Sequence, residues 1–157
     1  DLADLHLPIA SDGDVALFSG LLADLAATQK LNAEYIAKYT TGFASALSAA
    51  AGLDRKKAAK LSGLPHDDVA TFYEWFGQTE KVVTIFSQGV NQSGSGNDKV
   101  NSIINCHLAT GRMSKPGMGP FSVTGQPNAM GGREVGGLAN QLVRQRIIER
   151  VFLGVRW

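Results

Sequence analysis

The sequence predicts an α/β fold, rich in helix and with few strands. Three observations predict it. The first half is alanine-rich and sets apolar residues three and four apart. Residues 81–86, Lys-Val-Val-Thr-Ile-Phe, make the clearest strand, short and β-branched. A polar stretch and then a helix follow that strand directly, the order of one unit of a parallel sheet.

Element by element, residues 5–9 alternate weakly and predict a short strand. Ser11-Asp12-Gly13-Asp14 is a turn and a helix start, with Asp12 or Asp14 as the cap of a helix running to Gln29. Val15, Phe18, Leu21, Leu22 and Leu25 give that helix its apolar face. Asn32 opens a second helix with Tyr35, Ile36 and Tyr39 on one side, and residues 42–50 form a third carrying Phe43 and Leu47. Asp54 caps residues 55–61, and Gly63 stops them. Pro65 suits a first helical position, with Asp67 and Asp68 at the positive end of the dipole and Val69, Phe72, Tyr73 and Phe76 on the buried face. After the strand, residues 88–92 read as a loop and residues 97–110 as a helix closed by Gly111. Beyond Gly111 the chain reads as irregular, since Pro116, Pro120 and Pro127 deny long helices; residues 134–143 are a candidate short helix.

Composition narrows the function. A net charge of +1 offers no field for nucleic acid or an anionic membrane. No apolar run approaches the roughly 20 residues that span a bilayer, and no basic leader opens the chain. The single cysteine, Cys106, excludes an internal disulfide and a cysteine-cluster metal site, and it fits a reducing compartment. It lies in an apolar helical run and reads as a buried structural thiol, with His107 as a packed helix residue beside it. His6 and His66 have no partners that suggest catalysis. Lys99, Lys115 and Arg112 read as solvated, with Arg112 placed to complement a helix dipole.

Two blocks stand out: Phe86-Ser87-Gln88-Gly89-Val90-Asn91-Gln92, and residues 120–137, which run from Pro-Phe-Ser-Val-Thr-Gly-Gln-Pro to Arg-Glu-Val-Gly-Gly. Both are dense in amides and glycines and nearly free of charge. Such a composition suits backbone that closes around a large polar ligand, because glycine admits close approach and Gln and Asn both donate and accept. Arg133 is the one arginine of the second block, where an anion could meet it. Ligands of parallel sheets sit beyond the carboxyl ends of strands, the place that Gln88 to Gln92 take.

These blocks closely resemble the catalytic subunit of molybdopterin-dependent nitrate reductases, above all the assimilatory bacterial type. The resemblance runs over residues 1–142, is densest over 86–137, and does not reach the tail 143–157. It implies an internal fragment of a pair of α/β domains that bind molybdopterin guanine dinucleotide. Residues 1–79 would end one cofactor domain, and residues 80–157 would return to the adjoining one. The implied cofactor is molybdenum bis(molybdopterin guanine dinucleotide), with a 4Fe-4S cluster in an upstream region. Nitrate is the implied substrate, an electron-donor protein or subunit the implied partner, and the cytoplasm the implied location. The isolated fragment would be inactive and could self-associate through apolar surface left by its absent neighbours.

Carried over by position, Asp14 matches the aspartate that recognises guanine in one cofactor half. Capping alone is the bland alternative, and the two are compatible. The family often has Pro-Gly-Thr-Asp where this chain has Ser11-Asp12-Gly13-Asp14, so Asp12 and Gly13 belong to the same cofactor-binding turn. Gln88 falls close to molybdenum, where periplasmic relatives carry methionine, and Gln92 falls against the cofactor. Thr124, Gln126 and Arg133 line the substrate channel, with Arg133 attracting and orienting nitrate; the bland alternative pairs it with Glu134. Cys106 is not a molybdenum ligand, since the family's metal-binding cysteine lies upstream. Two other readings remain: a related molybdopterin enzyme such as a formate dehydrogenase, and a non-catalytic helical interaction module. Thr124-Gly125-Gln126-Pro127 with Arg133-Glu134-Val135-Gly136 favours nitrate over formate, and the amide-rich blocks go unexplained in the module.

Overall fold

The computed structural model describes residues 2–123. The described elements belong to one compact unit. In chain order they are α1 (Asp14–Ala27), α2 (Ala33–Tyr39), α3 (Phe43–Ala49), α4 (Arg55–Ser62), α5 (His66–Gln78), β1 (Val83–Phe86), α6 (Gln88–Asn91), α7 (Gly96–Ala109) and β2 (Gly119–Ser122). The helix-rich α/β class is therefore what the chain adopts.

Local chemistry sets most boundaries. The Asn32 carboxamide accepts from the Tyr35 amide at 2.9 Å, and the Asp54 carboxylate accepts from the Lys57 amide at 2.7 Å, so α2 and α4 begin where the sequence places them. Gly63 ends α4 in the left-handed region. Pro65 is the cap residue of α5, one position ahead of the first helical turn that Asp67 and Asp68 occupy. α1 closes at Ala27 rather than Gln29, because the Thr28 hydroxyl turns back onto the Asp24 carbonyl at 2.7 Å and Gln29 takes φ 58°.

Two strand assignments change. Residues 5–9 do not form a strand. Leu5, Leu7 and Ile9 are half-buried and their neighbours exposed, as alternation predicts. Their backbone has no ladder, however: the Ile9 amide bonds the Leu7 carbonyl, and only the Ala10 amide reaches across, to the Ser62 carbonyl at 2.9 Å. Conversely, β2 lies where prolines argue for irregular chain. It pairs with β1 in parallel, Val83 opposite Gly119 and Phe86 opposite Ser122. The Gly119 amide donates to the Val82 carbonyl. Residue 120 therefore turns its backbone nitrogen away from β1, and a proline there removes no bond of this pair.

α1 is the central element and packs against α4, α5 and α7. Leu21, Leu25, Val69, Tyr73 and Cys106 are almost fully enclosed. The buried stripe of α1 is Leu17, Gly20, Leu21, Leu22 and Leu25, with Val15 and Phe18 at its margin. Phe18 meets Phe72 edge-on at 6.0 Å. The Tyr73 hydroxyl donates to the Leu17 carbonyl at 2.6 Å, which satisfies the one polar atom of the ring. At the margin, Arg55 bonds Asp24 at 2.6 Å and Glu74 at 3.0 Å, linking α4 to α1 and α5.

Gly20 makes the α1–α4–α5 contact close. A Cβ there would stand 2.5 Å from the Tyr73 hydroxyl and 2.6 Å from Ala58 Cβ. Replacing a mid-helix glycine with alanine ordinarily stabilises by about 1 kcal/mol. Here crowding outweighs that gain, and Gly20→Ala is expected to lose about 1–3 kcal/mol net. A urea midpoint below that of the parent protein is the expected reading; a higher one would mean that the helices part without cost.

Candidate functional site

Because β1 and β2 are parallel, their carboxyl ends, Phe86 and Ser122, leave the sheet at the same edge. The residues after β1 are not an open loop. Gln88–Asn91 form the single-turn helix α6, with Gln92 as its C-cap; the Ser87 carbonyl accepts from the amides of Val90 and Asn91 at 2.9 and 3.1 Å. That backbone wrap turns the side chains outward. Gln88 and Gln92 are exposed, and among the described residues neither carboxamide has a partner. A Cβ at Gly89 would meet nothing within 4 Å, so the backbone there is open to close approach. Asn91 ties the two strand ends together, donating from Nδ2 to the Ser122 hydroxyl at 3.1 Å. Its Oδ1 is buried without a partner among the described residues, and a buried orphan acceptor invites a donor from outside the chain.

The turn before α1 forms the second half of the site. The Gly13 amide bonds the Ala10 carbonyl, and Asp12 is held at φ 62°. Gly13 is buried, and a Cβ on it would lie 2.9 Å from Ser62 Cα. Only glycine lets this turn sit so close to the end of α4. Neither aspartate caps α1: the N-cap is Gly13, with no side-chain bond to the helix amides, and Asp14 is the first helical residue. Instead both carboxylates go to Lys99. Its ammonium lies 2.9 Å from Asp12 Oδ1 and 3.1 Å from Asp14 Oδ2, with the lysine side chain 4% exposed. The Ser95 hydroxyl also donates to Asp12 Oδ1, at 3.2 Å. Lys99, and then Ser95, hold the Asp12 carboxyl below its ordinary value; Asp12, and then Asp14, raise the ammonium. Through Ser95, the segment that leaves β1 reaches back to the turn before α1.

Lys99 is thus not solvated. Its position does carry a signal: with Ile103 and Cys106 it shares the four- and seven-residue steps of one buried helix face. Arg112 is buried as well. It donates to the Phe76 carbonyl at 2.8 Å and the Thr79 carbonyl at 2.6 Å, with its guanidinium 5.1 Å from the Phe76 ring centre. It complements a helix end, that of α5 rather than its own. Cys106 is a buried thiol donating to the Phe18 carbonyl, and burial pushes its pKa up, which suits a structural role. His66 sits exposed, 3.1 Å from Asp67, and joins no cluster. Thr124, Gln126, Arg133 and the candidate helix over 134–143 lie outside the described residues.

A groove of about 490 Å³ lies near Ala23, Asp24, Leu53 and Arg55. Asp24 is ten residues along α1 from Asp14, about 15 Å by helical rise. Asp24 and Arg55 there bond each other, and the groove lies apart from the strand-end site. At the strand ends and the α1 turn, by contrast, are unpartnered carboxamides, an orphan carbonyl oxygen, an open glycine and carboxylate acceptors. That donor and acceptor set fits the uncharged, amide-like edges of a pterin or a guanine.

The model for the family described as molybdopterin oxidoreductase matches residues 1–152. The chain belongs to the molybdopterin oxidoreductase family. The match extends past residue 142, into the tail that the motif resemblance does not reach. Similar proteins include a "Nitrate reductase" of Klebsiella oxytoca, 47% identical over 142 residues that cover 90% of this chain and 16% of the relative. One of Shewanella frigidimarina is 48% identical over 142 residues, covering 89% and 15%. An "Assimilatory nitrate reductase catalytic subunit" of Bacillus subtilis is 32% identical over 148 residues, covering 94% and 21%. The chain therefore spans about a sixth of the length of the first two relatives. Among the described residues, no helix is long and apolar enough to cross a membrane.

His107 fixes the sheet under this site. Its Nε2 lies 2.8 Å from the Thr84 hydroxyl of β1, its ring meets Phe76 at 5.4 Å, and Nδ1 is buried without a partner among the described residues. Burial first, and the charge of Arg112 second, lower its pKa from 6.5 to about 4. The unfolded chain then takes up the proton before the folded one. Stability is whole above pH 6.5 and declines as pH falls toward 4, by about 3 kcal/mol from this residue. Urea midpoints against pH should show His107→Leu lacking that part of the acid slope; equal slopes in variant and parent would mean that the imidazole charges freely in place.

Proposed function

We propose that this chain is part of the catalytic subunit of a molybdenum-dependent nitrate reductase, which converts nitrate to nitrite, and that it contributes cofactor-binding and substrate-channel loops. The observation that carries the reading is the convergence of unpartnered amides at two parallel strand ends with a carboxylate turn wired to the same segment. The nitrate reductases that cover most of this chain support it. In this reading residues 1–79 end one cofactor domain and residues 80–157 belong to the adjoining one.

The cofactor, molybdenum bis(molybdopterin guanine dinucleotide), supplies the oxygen-atom transfer and the two-electron change when bound. The chain's own residues bind and orient. Asp14 accepts hydrogen bonds from the ring N–H and amino group of one guanine, with Asp12 and Gly13 shaping its turn. Gln88 and Gln92 present carboxamides that donate and accept toward the pterin side, over backbone left bare at Gly89. Thr124 and Gln126 line the path of the substrate. Arg133 draws in the nitrate oxyanion and aligns it, since a guanidinium keeps its charge and matches a planar anion. The 4Fe-4S cluster and the contact with an electron donor belong to parts of the protein outside this chain, and the similarity to the Bacillus subtilis subunit named assimilatory argues for the cytoplasm.

Two variants of the full-length protein test the assignments. Arg133→Ala should lower kcat/KM for nitrate about 10- to 100-fold with molybdenum content unchanged; normal kinetics would remove Arg133 from the channel. Asp14→Ala should lower molybdenum content per polypeptide, and full occupancy would end its assignment to guanine. Formate oxidation without nitrate reduction in the parent protein would move the whole assignment to a formate dehydrogenase.

A further inference from the structure

We propose that Lys99 is a positioning residue for guanine recognition: it grips Asp14 through one carboxylate oxygen and so aims the remaining acceptor positions at the base. This inference rests on the reading above, in which Asp14 receives the guanine.

The lysine sits where a cation is least favoured. It is buried, and it occupies the first turn of α7, where the helix dipole places positive partial charge. What offsets both penalties is a pair of carboxylates from the turn before α1, which α7 meets only through tertiary packing. The two acids are held unequally. Asp12 is 72% exposed, and its Oδ1 takes both the ammonium and the Ser95 hydroxyl. Asp14 is 19% exposed, and among the described residues only Lys99 bonds it, through Oδ2. Oδ1 of Asp14, and the second lone pair of Oδ2, stay available. Two adjacent acceptor positions on one fixed plane are what the ring N–H and amino group of guanine require.

An aspartate at a helix start has a competing use. Left to itself, its carboxylate folds back on the free amides of the first turn. The structure shows no such bond for Asp14. Lys99 prevents it by holding the carboxylate off the helix, and it also quenches the repulsion between Asp12 and Asp14. The two acids keep the ammonium pKa raised, so the grip does not loosen near neutral pH.

The test uses the full-length, cofactor-loaded protein and measures GMP released by acid hydrolysis per polypeptide after prolonged gel filtration. Lys99→Met and Asp14→Asn should each shorten guanine retention about tenfold, while Lys99→Arg retains it within about twofold. The double variant Asp14→Asn/Lys99→Met should lose no more than Asp14→Asn alone, since both act through one contact. Losses that multiply in the double variant would mark Lys99 as merely structural and overturn the proposal. So would parental retention in Lys99→Met beside a loss in Asp14→Asn, which leaves the guanine assignment intact. Parental retention in Asp14→Asn would end that assignment and this inference with it. Should Lys99→Met fail to fold, Asp12→Asn/Lys99→Met, which removes the repulsion between the acids, carries the test with the same tenfold loss expected and parental retention as the refuting result.

Discussion

Two hydrogen-bonded strands that run the same way cannot be joined by a tight turn. The chain between them has to cross over the sheet, and here α6 and α7 make that crossing between β1 and β2. This constraint delivers Phe86 and Ser122 to one edge, places Gln88 to Gln92 beyond it, and commits α7 to lie against β2 and α1. The start of α7 ties the segment that carries the free amides to the carboxylate turn. Ser95 and Lys99 reach the turn before α1 from the start of that helix, while His107 holds β1 from its far end.

Buried polar groups do much of the orienting. Arg112 closes the carbonyl end of α5 and Lys99 gathers two carboxylates. Each is an otherwise costly buried charge made tolerable by two oxygen partners. Burial in this way trades stability for definition: an exposed lysine would leave Asp12 and Asp14 free to rotate, whereas an enclosed one fixes where their oxygens point. Among the described residues, the unpartnered polar atoms past this edge are the buried Asn91 Oδ1 and the exposed carboxamides of Gln88 and Gln92. Rigid support beneath a row of unused donors and acceptors is the arrangement that a preorganised binding site needs.

What was legible in the sequence was local. Asn32, Asp54 and Gly63 act within four residues of themselves, and each helix boundary they signal is in place. The β-branched run at β1 was legible for the same reason, as was the burial of Cys106 in its apolar helix. The failures were non-local. Lys99 and Arg112 read as solvated because charge is the visible cue, while their partners come from distant chain; the Arg112 contact spans 36 residues. β2 was hidden by Pro120, whose missing amide matters only once the neighbouring strand is known. α6 was hidden because Gln-Gly-Val-Asn has the composition of a loop, and the Ser87 carbonyl that organises it belongs to the backbone. Of the candidate site, Asp14, Gln88 and Gln92 are proposed from composition and resemblance; the lysine that pairs with Asp14 was not legible, since no short-range pattern announces an ion pair.

The central claim is that the α1 turn and the β1 edge face a pterin nucleotide in the complete protein. A structure of the full-length protein with its cofactor bound measures this directly. The account predicts guanine nitrogens within hydrogen-bonding distance of the Asp14 carboxylate, with Lys99 still on its other side, and the Gln88 and Gln92 carboxamides against the cofactor. A guanine bound elsewhere, with Asp14 and both carboxamides facing bulk water, would contradict it.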